Sequence, residues 1–149
     1  MFDKCKRLAY NIFMIDFQEV LKKHDLKVTS KRLAVLSILE QNPDPLSIEE
    51  ITNFLRKKKI KADQVTIYRI IEVLQNINLV TRINFHEGKF RYELATKPHH
   101  HHAVCIKCGR IEELPEDLFG DVIGNVSKKT NFQITGHAFE LFGLCHNCQ

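Results

Sequence analysis

The chain has 149 residues, 44% of them hydrophobic, which is enough for one ordinary domain or two small ones with real cores. The apolar N-terminal stretch around Ile12 and Phe17 is interrupted by Asp16 and flanked by charge, which excludes a membrane span or a signal peptide and makes the cytoplasm the expected compartment. The net charge of +4 is uneven: residues 1–95 carry 17 Lys/Arg against 12 Asp/Glu, residues 96–149 carry 5 against 6, so the first part is the candidate for nucleic acid.

Residues 1–15, with Cys5 and the basic Lys4, Lys6 and Arg7, read as an N-terminal extension that stays solvated. Phe17, Val20 and Leu21 recur at helical spacing and predict a first helix ending near Asp25. Thr29-Ser30 is a start signal for a second helix over 31–40, with Leu33, Leu36 and Leu39 inward, stopped by Asn42-Pro43-Asp44-Pro45. Ser47 followed by Glu50 is a capping box, so a third helix begins there, carries Ile48, Ile51, Phe54 and Leu55, and gives way to the basic run 56–59. Asp63 caps a fourth helix with Ile67, Ile70, Ile71, Leu74 and Ile77 on one stripe and Gln64, Tyr68, Arg69 and Glu72 in solvent.

Residues 79–85 and 90–94 are β-rich runs around a glycine-bearing turn, a hairpin. Helices followed by a hairpin make a winged helix. That fold also serves protein–protein contacts, but the exposed Tyr68-Arg69 pair, with Lys27, Arg32 and Arg82 expected around it, favours DNA. From residue 96 the pattern changes to a strand over 103–106, a knuckle at Cys108-Gly109, a strand to Leu114, a helix near 116–129 and a strand over 132–142. The expected class is therefore α+β: a winged helix-turn-helix domain at 1–95 and a small α/β domain at 96–149, too small to bury much core unaided.

Cys105, Cys108, Cys145 and Cys148 form two Cys-x-x-Cys pairs that suit a closed, tetrahedral structural Zn2+ site. Two disulfides or an iron–sulfur cluster are the other chemistries these residues permit. A second set of ligands is imidazole and carboxylate: His99 to His102, Glu93, Glu112, Glu113 and His137. Strand alternation sends His100 and His102 to one face and His99 and His101 to the other, giving two non-thiolate sites suited to Fe2+, Mn2+ or a regulatory Zn2+. No deaminase signature, phosphate loop, nucleophile elbow or zincin motif is present, so the chain is not expected to be an enzyme.

Residues 26–29 with Arg32, Thr66-Ile67-Tyr68-Arg69, Tyr92-Glu93-Leu94 and the run from His99 through Cys105-Ile106-Lys107-Cys108-Gly109 resemble the ferric uptake regulator family, from about residue 16 to the C-terminus. The resemblance implies a homodimeric, metal-dependent repressor of metal-uptake genes, most simply iron-responsive, that binds A·T-rich inverted repeats of double-stranded DNA. Zinc-, manganese- and peroxide-responsive regulation are variants within the family, and a zinc-scaffolded protein-interaction adaptor is the alternative from another class. By the same resemblance Tyr68 touches bases, Arg69 phosphates and Lys27 the minor groove, with Arg32 and Thr66 beside them. Glu93, His100, His102 and Glu113 match a regulatory metal site at the hinge between domains. His99, His101 and His137 match a second one, with Glu116, Asp117 or Asp121 as its carboxylate. Two positions depart from the pattern: Pro45 stands where the family usually supplies a histidine ligand, leaving four protein ligands or a substitute such as His24 or His86, and His101 stands where many iron-responsive members carry Asp. Glu93, where peroxide sensors carry Asp, argues against peroxide sensing.

Overall fold

The computed structural model describes residues 15–149, so residues 1–14 of the extension, Cys5 among them, lie outside the described residues. Helix α1 (Phe17–Lys23) starts where the Asp16 carboxylate accepts the N–H of Gln18 and Glu19, and it buries Phe17 and Leu21. Ile15, which the sequence places in the extension, packs against the same core. Helix α2 (Ser30–Gln41) is capped by the Thr29 hydroxyl. Its buried face is wider than the expected stripe, with Val35 and Ile38 joining Leu36 and Leu39, because α1, α3 and the later sheet all pack on it; Leu33 is only half-buried.

A two-residue strand, β1 (Leu46–Ser47), leads straight into α3 (Ile48–Lys57), and no periodicity announces so short an element. Both halves of the predicted capping box are formed: Glu50 N–H donates to the Ser47 hydroxyl at 3.3 Å and Ser47 N–H to the Glu50 carboxylate at 2.7 Å. Helix α4 (Gln64–Asn76) begins at its Asp63 cap and buries Ile67, Ile70, Ile71 and Leu74, with Ile77 half-covered just past its end. Strands β2 (Val80–Asn84) and β3 (Phe90–Leu94) form the hairpin, and the antiparallel order β1-β3-β2 completes a winged helix. The continuous hydrophobic core lies wholly between Phe17 and Leu94.

A second sheet has the order β5-β4-β6: β4 (His100–Cys105) pairs antiparallel with β5 (Ile111–Pro115) and parallel with β6 (Glu140–Gly143). Three expectations need correction here. The first strand begins at His100, not Ala103, so His100, His101 and His102 lie on the strand itself and His99 just before it. The single helix expected at 116–129 is a 3-10 turn (Glu116–Phe119) and a separate α5 (Val122–Thr130), broken at Gly120, whose φ of 56° with ψ of −153° is a conformation essentially reserved for glycine. The strand expected over 132–142 shrinks to β6, because the ladder with β4 begins only at Glu140 and the preceding segment instead carries His137 across to His99. Helix α5 buries no residue, and Cys105 is the one buried hydrophobic side chain described beyond Leu94. Among the described residues no helix is long and apolar enough to cross a membrane.

Candidate metal centres and nucleic-acid face

The knuckle after β4 and the turn after β6 bring the four cysteine sulfurs within 4.8 Å of one another, all as free thiols. Gly109, at φ +73°, lets the chain double back so that its N–H reaches the Cys105 carbonyl. Cys108 Sγ and Cys145 Sγ are 3.6 Å apart, too far for a disulfide but close to the roughly 3.8 Å edge of a tetrahedron with about 2.3 Å zinc–sulfur bonds. The Cys105 thiol is lowered to about 6, chiefly because the Cys145 N–H donates to its sulfur. Cys148 is pushed up to about 12 by hydrogen bonding to the sulfurs of Cys145 and Cys108. Four sulfurs converging at this spacing around a favoured Cys105 thiolate suit a zinc ion.

Glu93 closes β3 and His100 and His102 open β4, so the second cluster straddles the joint between the two sheets. Strand alternation puts both imidazoles on the same face, as expected. Glu93 is 7% exposed and sits 3.2 Å from His100 Nε2. Burial works against its ionisation, but the His100 hydrogen bond and the Lys97 ammonium outweigh it and hold the carboxyl below its ordinary range. His100 is raised by the same Glu93 bond, and its Nδ1 lies against the Pro98 carbonyl at 2.7 Å. His102 is lowered to about 4, mainly by burial, and is neutral at physiological pH. Its Nε2 is buried with no hydrogen-bond partner, 4.0 Å from Glu93. A neutral imidazole with an unused lone pair facing a carboxylate and a second imidazole fits a divalent metal. Glu113 stands opposite His102 across the β4–β5 ladder, with its carboxylate 4.0 Å from His100 Nδ1, at the edge of the cluster rather than inside it.

On the other face, His99, His101 and His137 also gather their nitrogens within 4.8 Å, with His99 Nε2 and His137 Nε2 at 2.8 Å. Phe119 and Phe139, stacked on each other, press edgewise on His101 and form an apolar floor. His101 is lowered by burial and by its two imidazole neighbours, and of the three carboxylates considered from sequence Glu116 is the one whose charge acts on it.

On the reading side, α4 exposes Val65, Tyr68 and Arg69, while Thr66 is half-buried with its N–H held by the Asp63 cap at 2.7 Å. Lys27 is exposed; Arg32 is half-buried and donates from Nη1 to the Lys27 carbonyl at 2.6 Å, fixing the turn that presents Lys27. Arg82 in the wing lies over the Phe90 ring at 4.4 Å.

Residues 23–142 match the model of the ferric uptake regulator family. The chain belongs to the ferric uptake regulator family. It is 35% identical over 130 residues to the ferric uptake regulation protein of Legionella pneumophila, covering 87% of this chain and 96% of that one. Its fold is that of the Helicobacter pylori ferric uptake regulator, at TM-score 0.78 and 31% identity over 88% of this chain and 87% of that one. The Vibrio cholerae ferric uptake regulator superposes at TM-score 0.77 with 35% identity, over 87% and 100%.

Within this member of the ferric uptake regulator family, neither substitute considered for Pro45 joins the Glu93 cluster: His24 ends α1, and His86 packs edge-on against Phe142. Sequence reasoning missed Lys97, which donates to the Glu93 carboxylate at 3.1 Å. A lysine in a turn carries no motif. Only its four-residue distance from Glu93 could have prompted the question.

Proposed function

We propose that the chain is a metal-responsive DNA-binding repressor of metal-uptake genes in the cytoplasm, acting as a homodimer on A·T-rich inverted repeats. The observation that carries this reading is the cluster of Glu93, His100 and His102, which joins the last strand of the winged helix to the first strand of the other sheet and includes a buried imidazole nitrogen with no partner. A metal held there, with Glu113 completing the set, would restrain the angle between residues 1–95, the reading part, and residues 96–149. Occupancy then shifts the population of DNA-competent dimers. The Helicobacter pylori relative has three functional metal-binding sites, and this chain gathers three ligand sets. The four cysteines take structural zinc, Glu93 with its neighbours takes the regulatory ion, Fe2+ first and Mn2+ or Zn2+ as alternatives, and His99, His101 and His137 with Glu116 form the second non-thiolate site.

On DNA, Tyr68 and Val65 face base edges, Arg69 phosphates, and Lys27, set by Arg32, the adjacent groove; Thr66 anchors the start of the reading helix. Dimerisation fits the apolar side chains left uncovered beyond residue 117, among them Leu118, Val126, Phe132, Leu141 and Phe142. Selection from a library of A·T-rich inverted repeats with zinc-replete protein, titrated anaerobically with Fe2+, Mn2+ and Zn2+ at fixed salt, tests the reading. Affinity that tightens with one metal in the parent but not in His100→Ala is expected. No specific binding under any metal would favour the adaptor reading.

A further inference from the structure

Lys97 lies in the turn that joins the two sheets, and its ammonium makes two contacts of different origin. It pairs with the buried Glu93 carboxylate at 3.1 Å, and it donates a hydrogen bond to the carbonyl of Pro43, in the connection between α2 and β1. The same connection is held from the other side by Arg91, whose Nη1 donates to the Pro45 carbonyl at 3.0 Å. Asp44, between the two tethered prolines, is raised by burial and by Glu112 and Glu113 and lowered by Lys97 and Arg91, so the charges acting on it are those around the hinge. Lys97 itself is only 20% exposed in its side chain, an unusual place for a lysine unless its charge is used.

We propose that the Lys97 ammonium is the resident cation of the Glu93 site in the metal-free chain, latching the Pro43 connection of the reading domain to the hinge, and that a divalent metal enters by displacing it. This rests on the reading of Glu93, His100 and His102 as the sensor site. A dication and an ammonium repel when both lie against one carboxylate, so metal capture by Glu93 works against the Lys97 contact. The flexible four-carbon stem lets the ammonium swing into solvent at little cost, which an arginine fork held like Arg91 would not. Displacement also breaks the bond to Pro43, so one exchange of cations both engages β3 with β4 and frees the connection that precedes α3. Metal occupancy thereby couples to the orientation of the reading head through differential contacts in the two states.

The test uses full-length, zinc-replete protein and Mn2+ as the probe. Lysine acylation followed by mass spectrometry reads Lys97 directly: its reactivity should rise several-fold when Mn2+ saturates the site, while lysines far from the hinge stay constant. Lys97→Met keeps the stem and drops the charge, and it should bind Mn2+ about tenfold more tightly, about 1.4 kcal/mol, by direct titration. His100→Ala should bind Mn2+ weakly and show no metal-dependent change at Lys97. If His100→Ala loses Mn2+ binding but Lys97 reactivity in the parent does not rise, the latch is wrong and the sensor site stands. If His100→Ala binds Mn2+ as the parent does, the sensor assignment fails and takes the latch with it.

Discussion

His102 carries its Nε2 into the interior with nothing to bond, and a buried unsatisfied nitrogen of this kind costs about 1–3 kcal/mol. Burial keeps the ring neutral, so the atom has a lone pair at physiological pH rather than a proton to place. On the proposed reading, an ion held beside Glu93 and His100 would accept that lone pair and remove the cost. His102→Leu should therefore leave the metal-free melting temperature no lower than the parent's while abolishing the rise produced by saturating Mn2+; a retained metal-induced rise in differential scanning calorimetry would remove His102 from the site. Arg91 shows the opposite economy. It is buried but donates to Glu50, Glu87 and the Pro45 carbonyl, so its charge is fully answered.

Helix α4 presents two kinds of contact on adjacent residues, and they should separate experimentally. On the proposed reading the exposed Tyr68 faces base edges, so Tyr68→Ala should cut affinity for the selected repeat more than for random DNA. Arg69→Ala should weaken both alike and lower the salt slope by about one counterion, as measured by fluorescence anisotropy across a salt series. Helix α3 depends on its start. Glu50 closes the capping box and pairs with Arg91 at 2.8 Å. Burial opposes ionisation of Glu50, but the Ser47 N–H and hydroxyl and then Arg91 outweigh it, so its folded-state pKa lies below the ordinary 4.5. A depressed folded pKa means stability that is full above the unfolded value and disappears as pH falls through the folded one. Glu50→Gln keeps a capping acceptor but drops the charge, so with Glu50 38% exposed it should cost at most about 1 kcal/mol in urea denaturation at neutral pH, and the difference from the parent should shrink as pH falls below the ordinary 4.5.

At the scale of the molecule, the two sheets are held by different means. The winged helix has a continuous core in which each fully covered Leu or Ile contributes roughly 1.5–3 kcal/mol. The second sheet buries Cys105, His101 and His102 and little else, and helix α5 has no buried residue of its own. On the proposed reading its folding energy comes from a four-thiolate zinc, on the order of 10 kcal/mol in small domains, and from a second copy laid over the exposed apolar side chains. Stripping zinc with a strong chelator should convert dimer to monomer in sedimentation velocity and melt the second sheet, while the helical signal of the winged helix persists as a separate, later transition. A single cooperative transition with or without zinc would contradict this division.

The sequence by itself determined the parts whose signal is local: the caps at Thr29, Ser47 and Asp63, the helices that follow them, the hairpin, and the two Cys-x-x-Cys pairs. Alternation along one strand was enough to sort His100 and His102 from His99 and His101, because the period of two is a property of the backbone. Tertiary structure alone decided the rest. Strand β1 exists because β3 offers it a ladder, the segment before β6 leaves its ladder to carry His137 to His99, and Gly120 divides a run whose periodicity reads as one helix. The two cations on the connection between α2 and β1, Arg91 and Lys97, meet carbonyls 46 and 54 residues away in the chain. Long-range pairing of that kind is set by how the packed elements converge, and a residue's spacing to its sequence neighbours holds no record of it.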